Sequence, residues 1–189
     1  KAIIPVHLFG LCADMDALRG VLPSQVKIVE DAACAAGAAY KGRPAGGLGD
    51  FAAFSFHPRK SVTTGEGGML TTNDPELAEL ANMLRNHGAS LSEEQRHKGP
   101  RPYLLPEFNL LGFNYRMTDL QGAVGLVQLG KLDSFLAERR QWAEWYCREL
   151  ACLDWISIAP APPGYEHALQ AFVCYVDPVK APFPRNEIM

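Results

Sequence analysis

The stretch FSFHPRKSVTTGEGGML, residues 54–70, sets Lys60 in a short polar loop between an apolar run ending at Phe56 and the glycines Gly65, Gly67 and Gly68. A primary amine held at a desolvated strand end is a nucleophile able to form a Schiff base with a carbonyl compound. An acidic pair, Glu30-Asp31, stands directly after the apolar run VKIV. A carboxylate in such a place is costly to bury without a cationic partner, so Asp31 calls for one. Ser55 and His57 add a hydroxyl and an imidazole beside the lysine loop. Taken singly, each group keeps an ordinary reading. Lys60 is also a solvated loop lysine, Asp31 a cap for the turn AACAAGA, and GEGG a turn rather than an anion cradle.

The elements that position these groups follow from periodicity and capping. Residues 2–6 (AIIPV) and 26–30 (VKIVE) are short, apolar and rich in β-branched residues, and DMDALRGVL between them has helical spacing, which makes a β-α-β unit. Strands are predicted at 51–56 and 68–72. A helix then starts at the N-cap Asp74, with Pro75 at its first position, and stops at Gly88. Residues 89–108 carry three prolines, many charges and little periodicity, and are predicted to be a long loop. Thr118 and Gln121 form a capping box ahead of one long helix through about Leu150, weakened by Gly122, Gly125 and Gly130. WISIA and QAFVCYV read as later strands, joined by the proline-rich PAPPGYEH.

Strands alternating with helices predict an α/β fold, a mostly parallel sheet with helices on both faces and ligands at the carboxyl ends of its strands. Residues 1–117 form the first region, 118–150 a long connecting helix, and 151–189 the beginning of a smaller α/β domain. The opening without an initiator Met and the ending at RNEIM, the first turn of an unfinished helix, lead us to expect part of a longer protein.

Composition narrows the function classes. The 189 residues are 48% hydrophobic and 21% charged, the balance of a chain that buries a core. A net charge of −3 and the lack of a basic run argue against nucleic acid as a partner. Five cysteines show neither CxxC pairs nor zinc-ligand spacing; they read as reduced, mostly buried thiols, with no metal site. The apolar start AIIPVHLFGLCA, broken by Pro5 and His7, is neither a spanning helix nor a signal peptide, and a cytoplasmic location is expected. His7, His87, Trp142 and Trp145 read as packing residues.

The combination is more specific than its parts. VEDAACAAGAAYKGRPAGGLGDFAAFSFHPRKSVTTGEGGMLTTND, then LRNHG, then LGFNYRMTDLQGAVGLVQL, resembles the DegT/DnrJ/EryC1/StrS family of sugar aminotransferases, and the likeness runs over nearly the whole chain. The resemblance implies fold type I enzymes that use pyridoxal 5′-phosphate, and a complete member about twice this length. It makes residues 1–117 part of the large cofactor-binding domain. It implies that Lys60 joins the cofactor in a Schiff base and then moves protons, and that Asp31 pairs with the pyridine nitrogen. It also implies that Ser55 bonds the cofactor phosphate and that Asn114 reaches that phosphate from the partner subunit of a homodimer. Cys34 departs from the pattern: it stands near the cofactor's phenolic oxygen where the family usually has Gln or His. His57 and Arg59 are candidates for substrate phosphates, or a loop histidine and a solvated arginine. Arg116 is a candidate for the site across the dimer, or for an interface ion pair.

The reaction so implied moves an amino group, usually from glutamate, to the keto carbon of a nucleotide-linked deoxysugar. Such products feed surface polysaccharides or glycosylated natural products. A non-catalytic relative binding the cofactor or a sugar nucleotide for regulation is the alternative that Cys34 favours. Intact Lys60 argues against the dehydratase branch of the family, which carries histidine there.

Overall fold

A computed structural model of the chain describes residues 1–91 and 93–188. In chain order its elements are β1 (Ala2–Ile3), α1 (Met15–Val21), β2 (Lys27–Asp31), β3 (Ala39–Tyr40), β4 (Arg43–Pro44), β5 (Phe51–Ser55), β6 (Gly68–Thr71) and α2 (Pro75–Arg85). They continue with α3 (Glu93–Lys98), α4 (Asp119–Leu129), α5 (Leu132–Leu150), β7 (Ile156–Ser157), β8 (Tyr165–Glu166), β9 (Tyr175–Val176) and α6 (Arg185–Ile188). The main sheet has the order β1-β2-β5-β6, with β1, β2 and β5 parallel and β6 antiparallel against β5. The fold is therefore α/β with a mixed, mostly parallel sheet, as the alternation of elements predicts.

Register fixes which residues share a face. Asp31 lies opposite Ala53 in the parallel β2–β5 ladder, and Glu30 opposite Ala52. Because side chains alternate along a strand, Asp31, Ala53 and Ser55 lie on one face, and Ile28, Glu30, Ala52 and Phe54 on the other. The second face carries the core: Ile28, Ala52, Met15 and Leu48 are buried in one cluster.

The first strand ends earlier than the apolar run 2–6 predicts. Pro5 has no N–H to give to a ladder, so β1 stops at Ile3. The chain nevertheless keeps its course beside β2, since Asp31 N donates to Pro5 O (2.9 Å) and His7 N donates to Asp31 O (3.0 Å).

Local signals hold at the caps. Asp74 accepts from Glu76 N and Leu77 N at the start of α2, and the reciprocal Thr118–Gln121 capping box opens α4. The single long helix expected over 118–150 is instead two: Gly130 N still donates to Leu126 O, but Lys131 N donates to Gln128 O, three residues back, between α4 and α5. Glycine there costs about 1 kcal/mol relative to alanine, which favours the break. The loop expected over 89–108 contains α3.

Residues 165–170 do not stand apart from the first region. Strand β8 pairs with β3, and Ala168 N donates to Gly10 O (2.8 Å). On α5 a stripe of residues turned toward the body of the molecule runs through Leu132, Leu136, Arg139 and Ala143, at i, i+4, i+7 and i+11, with Phe135 and Leu150 also partly buried. Trp142 and Trp145 fall off that stripe, and at 55% and 41% exposed they are surface residues rather than the packing expected of them. The expectation of mostly buried thiols holds for Cys12, while Cys147 and Cys152, on α5 and just beyond it, are exposed. No helix among the described residues is long and apolar enough to cross a membrane.

Candidate active site

The loop that carries Lys60 is tied to the end of β5 by its own hydrogen bonds. Phe56 N donates to Gly67 O (2.9 Å), Thr64 N to Phe56 O (3.0 Å), and Lys60 N to His57 O (2.9 Å). The Thr63 hydroxyl donates to Phe56 O (2.9 Å) and accepts from Gly65 N (3.0 Å), while the Thr64 hydroxyl donates to Glu66 O (2.7 Å). This is the work of the threonines that follow the lysine. The glycines serve the same closure. A Cβ on Gly67, whose φ is +145°, would lie 2.7 Å from Thr64 Oγ1, and one on Gly68 would lie 2.6 Å from Phe54 O. Their closeness is to the chain's own backbone and threonine.

The loop delivers Lys60 to the turn after β2. Lys60 Nζ donates to Cys34 Sγ at 3.2 Å, and both residues are partly buried. Asp31, at the end of β2, accepts from Ala33 N through Oδ1 (3.1 Å), which is the capping bond that its position invited. No ion pair to Asp31 occurs among the described residues, so its carboxylate keeps a free oxygen. Ser55 closes β5 on the Asp31 face, and its hydroxyl accepts from His57 N at 3.4 Å. The next hydroxyl along the loop, Ser61 Oγ, is buried and without a hydrogen-bond partner in the structure.

His57 Nδ1 accepts from Arg59 N (3.2 Å), and its Nε2 lies 4.0 Å from Glu66 Oε1. Arg59 has an exposed side chain, and its carbonyl accepts from Gln170 Nε2 (2.9 Å). Six of the predicted residues, Asp31, Cys34, Ser55, His57, Arg59 and Lys60, thus come to the carboxyl ends of β2 and β5. Asn114 and Arg116 do not join them through hydrogen bonds among the described residues. Asn114 bridges Asn86 at the end of α2, and Arg116 Nη1 donates to Asn86 Oδ1 (2.7 Å). Arg116, Asn86, Arg96 and an exposed His87 line a cavity of about 200 Å³.

Sequence reading placed His7 among the packing residues, and it is buried, but its pairing with Glu30 was missed. Both are fully buried, and His7 Nε2 lies 2.8 Å from Glu30 Oε2. The available signal was the alternation itself: if Asp31 faces the site, Glu30 must point into the core, where a carboxylate needs donors.

The donor set suits a cofactor with an aldehyde, a basic ring nitrogen and a phosphate. It offers a primary amine, a strand-end carboxylate with an oxygen to spare, and a hydroxyl on the same sheet face as that carboxylate. The spare carboxylate oxygen is what a protonated ring nitrogen would occupy.

Comparison with known proteins bears on the family and the fold. Residues 1–189 match the DegT/DnrJ/EryC1/StrS aminotransferase family. The chain is similar to the GDP-perosamine synthase of Caulobacter vibrioides, at 46% identity over 154 residues that make up 81% of this chain and 38% of that protein. In structure it is similar to an aminotransferase from Psychrobacter cryohalolentis, with a TM-score of 0.88 and 31% identity over 100% of this chain and 50% of that one. It is also similar to a Streptococcus pneumoniae protein described as a sugar aminotransferase, in its PLP-form, with a TM-score of 0.81 and 28% identity over 94% of this chain and 48% of that one. The chain therefore spans half or less of the length of each of these proteins.

Proposed function

The chain belongs to the DegT/DnrJ/EryC1/StrS aminotransferase family, and on that premise we propose that the whole protein is a pyridoxal 5′-phosphate-dependent sugar aminotransferase. It moves an amino group from an amino acid, glutamate in our reading, to the keto carbon of a nucleotide-linked deoxysugar. The observation that carries the reading is the presence of one amine and one unpaired carboxylate, Lys60 and Asp31, beyond the carboxyl ends of adjacent parallel strands. Support for the substrate class comes from similarity to a GDP-perosamine synthase, and support for the cofactor from similarity to a protein solved in its PLP-form.

When bound, the cofactor supplies an aldehyde that takes up amines and a ring that withdraws electrons from the substrate carbon. Lys60 would hold that aldehyde through Nζ and would move a proton on and off the substrate carbon. Asp31 would hold a proton at the ring nitrogen, which would keep the ring electron-poor. Ser55 would hold the phosphate through its hydroxyl, and Cys34, which accepts from Lys60 Nζ, would join the cofactor-binding residues. His57 and Arg59 would meet the phosphates of the nucleotide sugar, and Arg116 would face the site of a second copy.

Asn114 serves the site of a second copy, so the working unit is a homodimer. Large apolar side chains support a covering partner: Leu111, Leu120 and Leu126 are 90%, 83% and 75% exposed. Residues 1–117 belong to the cofactor-binding domain, 118–150 connect, and 151–189 open the smaller domain. The protein works in the cytoplasm.

The test is a pair of half-reactions on the whole protein. Glutamate should bleach the visible absorbance of the bound cofactor, and a nucleotide-linked keto sugar should restore it. Cofactor binding with no response to any amino donor would favour the regulatory, non-catalytic reading that Cys34 suggests.

A further inference from the structure

We propose that the buried His7–Glu30 pair is a positioning device that fixes the Asp31 carboxylate from the opposite face of the sheet. The cofactor side of the claim rests on the function proposed above; the geometric side does not.

The hydrogen bonds define the pair's state. Ala13 N donates to His7 Nδ1 (3.1 Å), so Nδ1 is an acceptor and the ring proton sits on Nε2, which donates to Glu30 Oε2 at 2.8 Å. Glu30 Oε2 also accepts from Gly46 N (2.8 Å), and Oε1 accepts from Leu48 N (2.7 Å) and Gly49 N (2.6 Å). Four donors on two oxygens describe an ionised carboxylate opposite a neutral imidazole. Burial opposes that charge, but the His7 bond and the backbone amides outweigh it and hold the Glu30 carboxyl below its ordinary range. Burial, with help from the Glu30 charge, pushes the neighbouring Cys12 thiol up to about 11, so Cys12 stays neutral beside it.

One side chain thereby joins three segments: the turn at 7–13, the end of β2, and the loop 46–49. The fit is tight, since a Cβ on Gly49 would lie 2.6 Å from Ile28 O and 3.3 Å from Glu30 Cγ. Asp31 is the next residue, across one rigid peptide. Its own backbone is gripped on one edge by Pro5 O and His7 N, and Ala32 N beyond it donates to Ala53 O (3.0 Å) on the other edge. A displacement of Glu30 or His7 is thus a displacement of Asp31.

Simple packing does not require this arrangement. Ile28, on the same face two residues earlier, is buried by hydrocarbon alone. A buried charged group is no more stabilising than apolar residues of equal volume, and what it adds is one defined geometry. That geometry is built at the residue before the carboxylate the site depends on.

The test uses the whole protein with His7→Leu, Glu30→Gln and His7→Gln. In the last, the amide nitrogen takes the place of Nε2 and keeps the bond to Glu30. Leu136→Val, which loosens the buried contact of α5 with Gly37, is the stability control. Pyridoxal 5′-phosphate affinity and the pH dependence of the bound cofactor's absorbance are read well below each variant's Tm, and amide exchange at Ala32 and Ala33 is read without cofactor. We expect His7→Leu and Glu30→Gln to weaken cofactor binding by roughly tenfold and to shift the absorbance profile, the size seen when support behind a ligand-holding group is lost. We expect faster exchange at 32–33, recovery of most of the loss in His7→Gln, and no spectral change in Leu136→Val. Wild-type affinity, profile and exchange in His7→Leu, whatever its Tm, would overturn the proposal. If the wild-type protein takes up no cofactor, the proposed function fails, and exchange at 32–33 alone decides the positioning claim.

Discussion

Lys60 Nζ donates to Cys34 Sγ across 3.2 Å, which joins the loop after β5 to the turn after β2 through two side chains. A thiol is a weak acceptor, and by resemblance Gln or His usually stands at this place. Replacing it should therefore change cofactor binding more than folding. Cys34→Gln is expected to tighten pyridoxal 5′-phosphate binding by about fivefold, the worth of roughly 1 kcal/mol for one ordinary hydrogen bond. An absorbance titration of both proteins measures it. Weaker binding in Cys34→Gln would mean that the thiol is itself the preferred contact.

Gly67 has no room for a side chain. With φ at +145° and a Cβ position 2.7 Å from Thr64 Oγ1, Gly67→Ala must strain the loop or break the Thr64–Glu66 bond. The expected loss is about 1–3 kcal/mol, read as a lower Tm, together with slower labelling of Lys60 by amine reagents as the loop loses its shape. An unchanged Tm would show that the loop closes in another way.

Glu30 gives stability a pH dependence. Its carboxyl is held below the ordinary value of 4.5, so the stabilisation is complete above that pH and is lost as pH falls through the lower folded value. Glu30→Gln should cost about 1–3 kcal/mol at neutral pH for each donor it orphans, because two of the four, either His7 Nε2 and Gly46 N or Leu48 N and Gly49 N, then face an NH2 group that cannot accept. The variant should also lose part of the wild-type decline in urea midpoint below pH 4.5. Parallel declines in the two proteins would assign the acid sensitivity to other carboxylates.

Leu136 anchors α5. It is buried at 4% exposure, and its Cδ1 lies 2.3 Å from where a Cβ on Gly37 would stand. Leu136→Ala should cost about 2–5 kcal/mol, measured by denaturant unfolding. A much smaller loss would mean that α5 is held chiefly by the bonds from Arg139 to the carbonyls of Leu169 and Gln170.

What could be read ahead of the structure was local or carried by an extended resemblance. The caps at Asp74 and Thr118 are short-range chemistry, and β2, β5 and β6 have apolar runs long enough to declare themselves. The two-residue strands β3, β4 and β8 are too short to leave a periodic trace, and β8 finds its partner, β3, far away in the chain. The same distance hid the role of His7, whose partner lies 23 residues away. GEGG was legible as a turn rather than an anion cradle, and the structure adds that its glycines lie close to Thr64 and Phe54. Asn114 was assigned by resemblance to a site across a dimer; within one chain its backbone bridges that of Asn86, and Arg116 bonds the Asn86 side chain.

The most direct test of the account is covalent. The whole protein would be loaded with pyridoxal 5′-phosphate, reduced with borohydride and mapped by peptide mass. We predict one label, on Lys60, absent from Lys60→Ala, whose transamination rate should fall by roughly 10²–10⁴-fold. Cofactor bound without a label on Lys60, or a label on another lysine, would contradict the assignment of this loop as the site of chemistry.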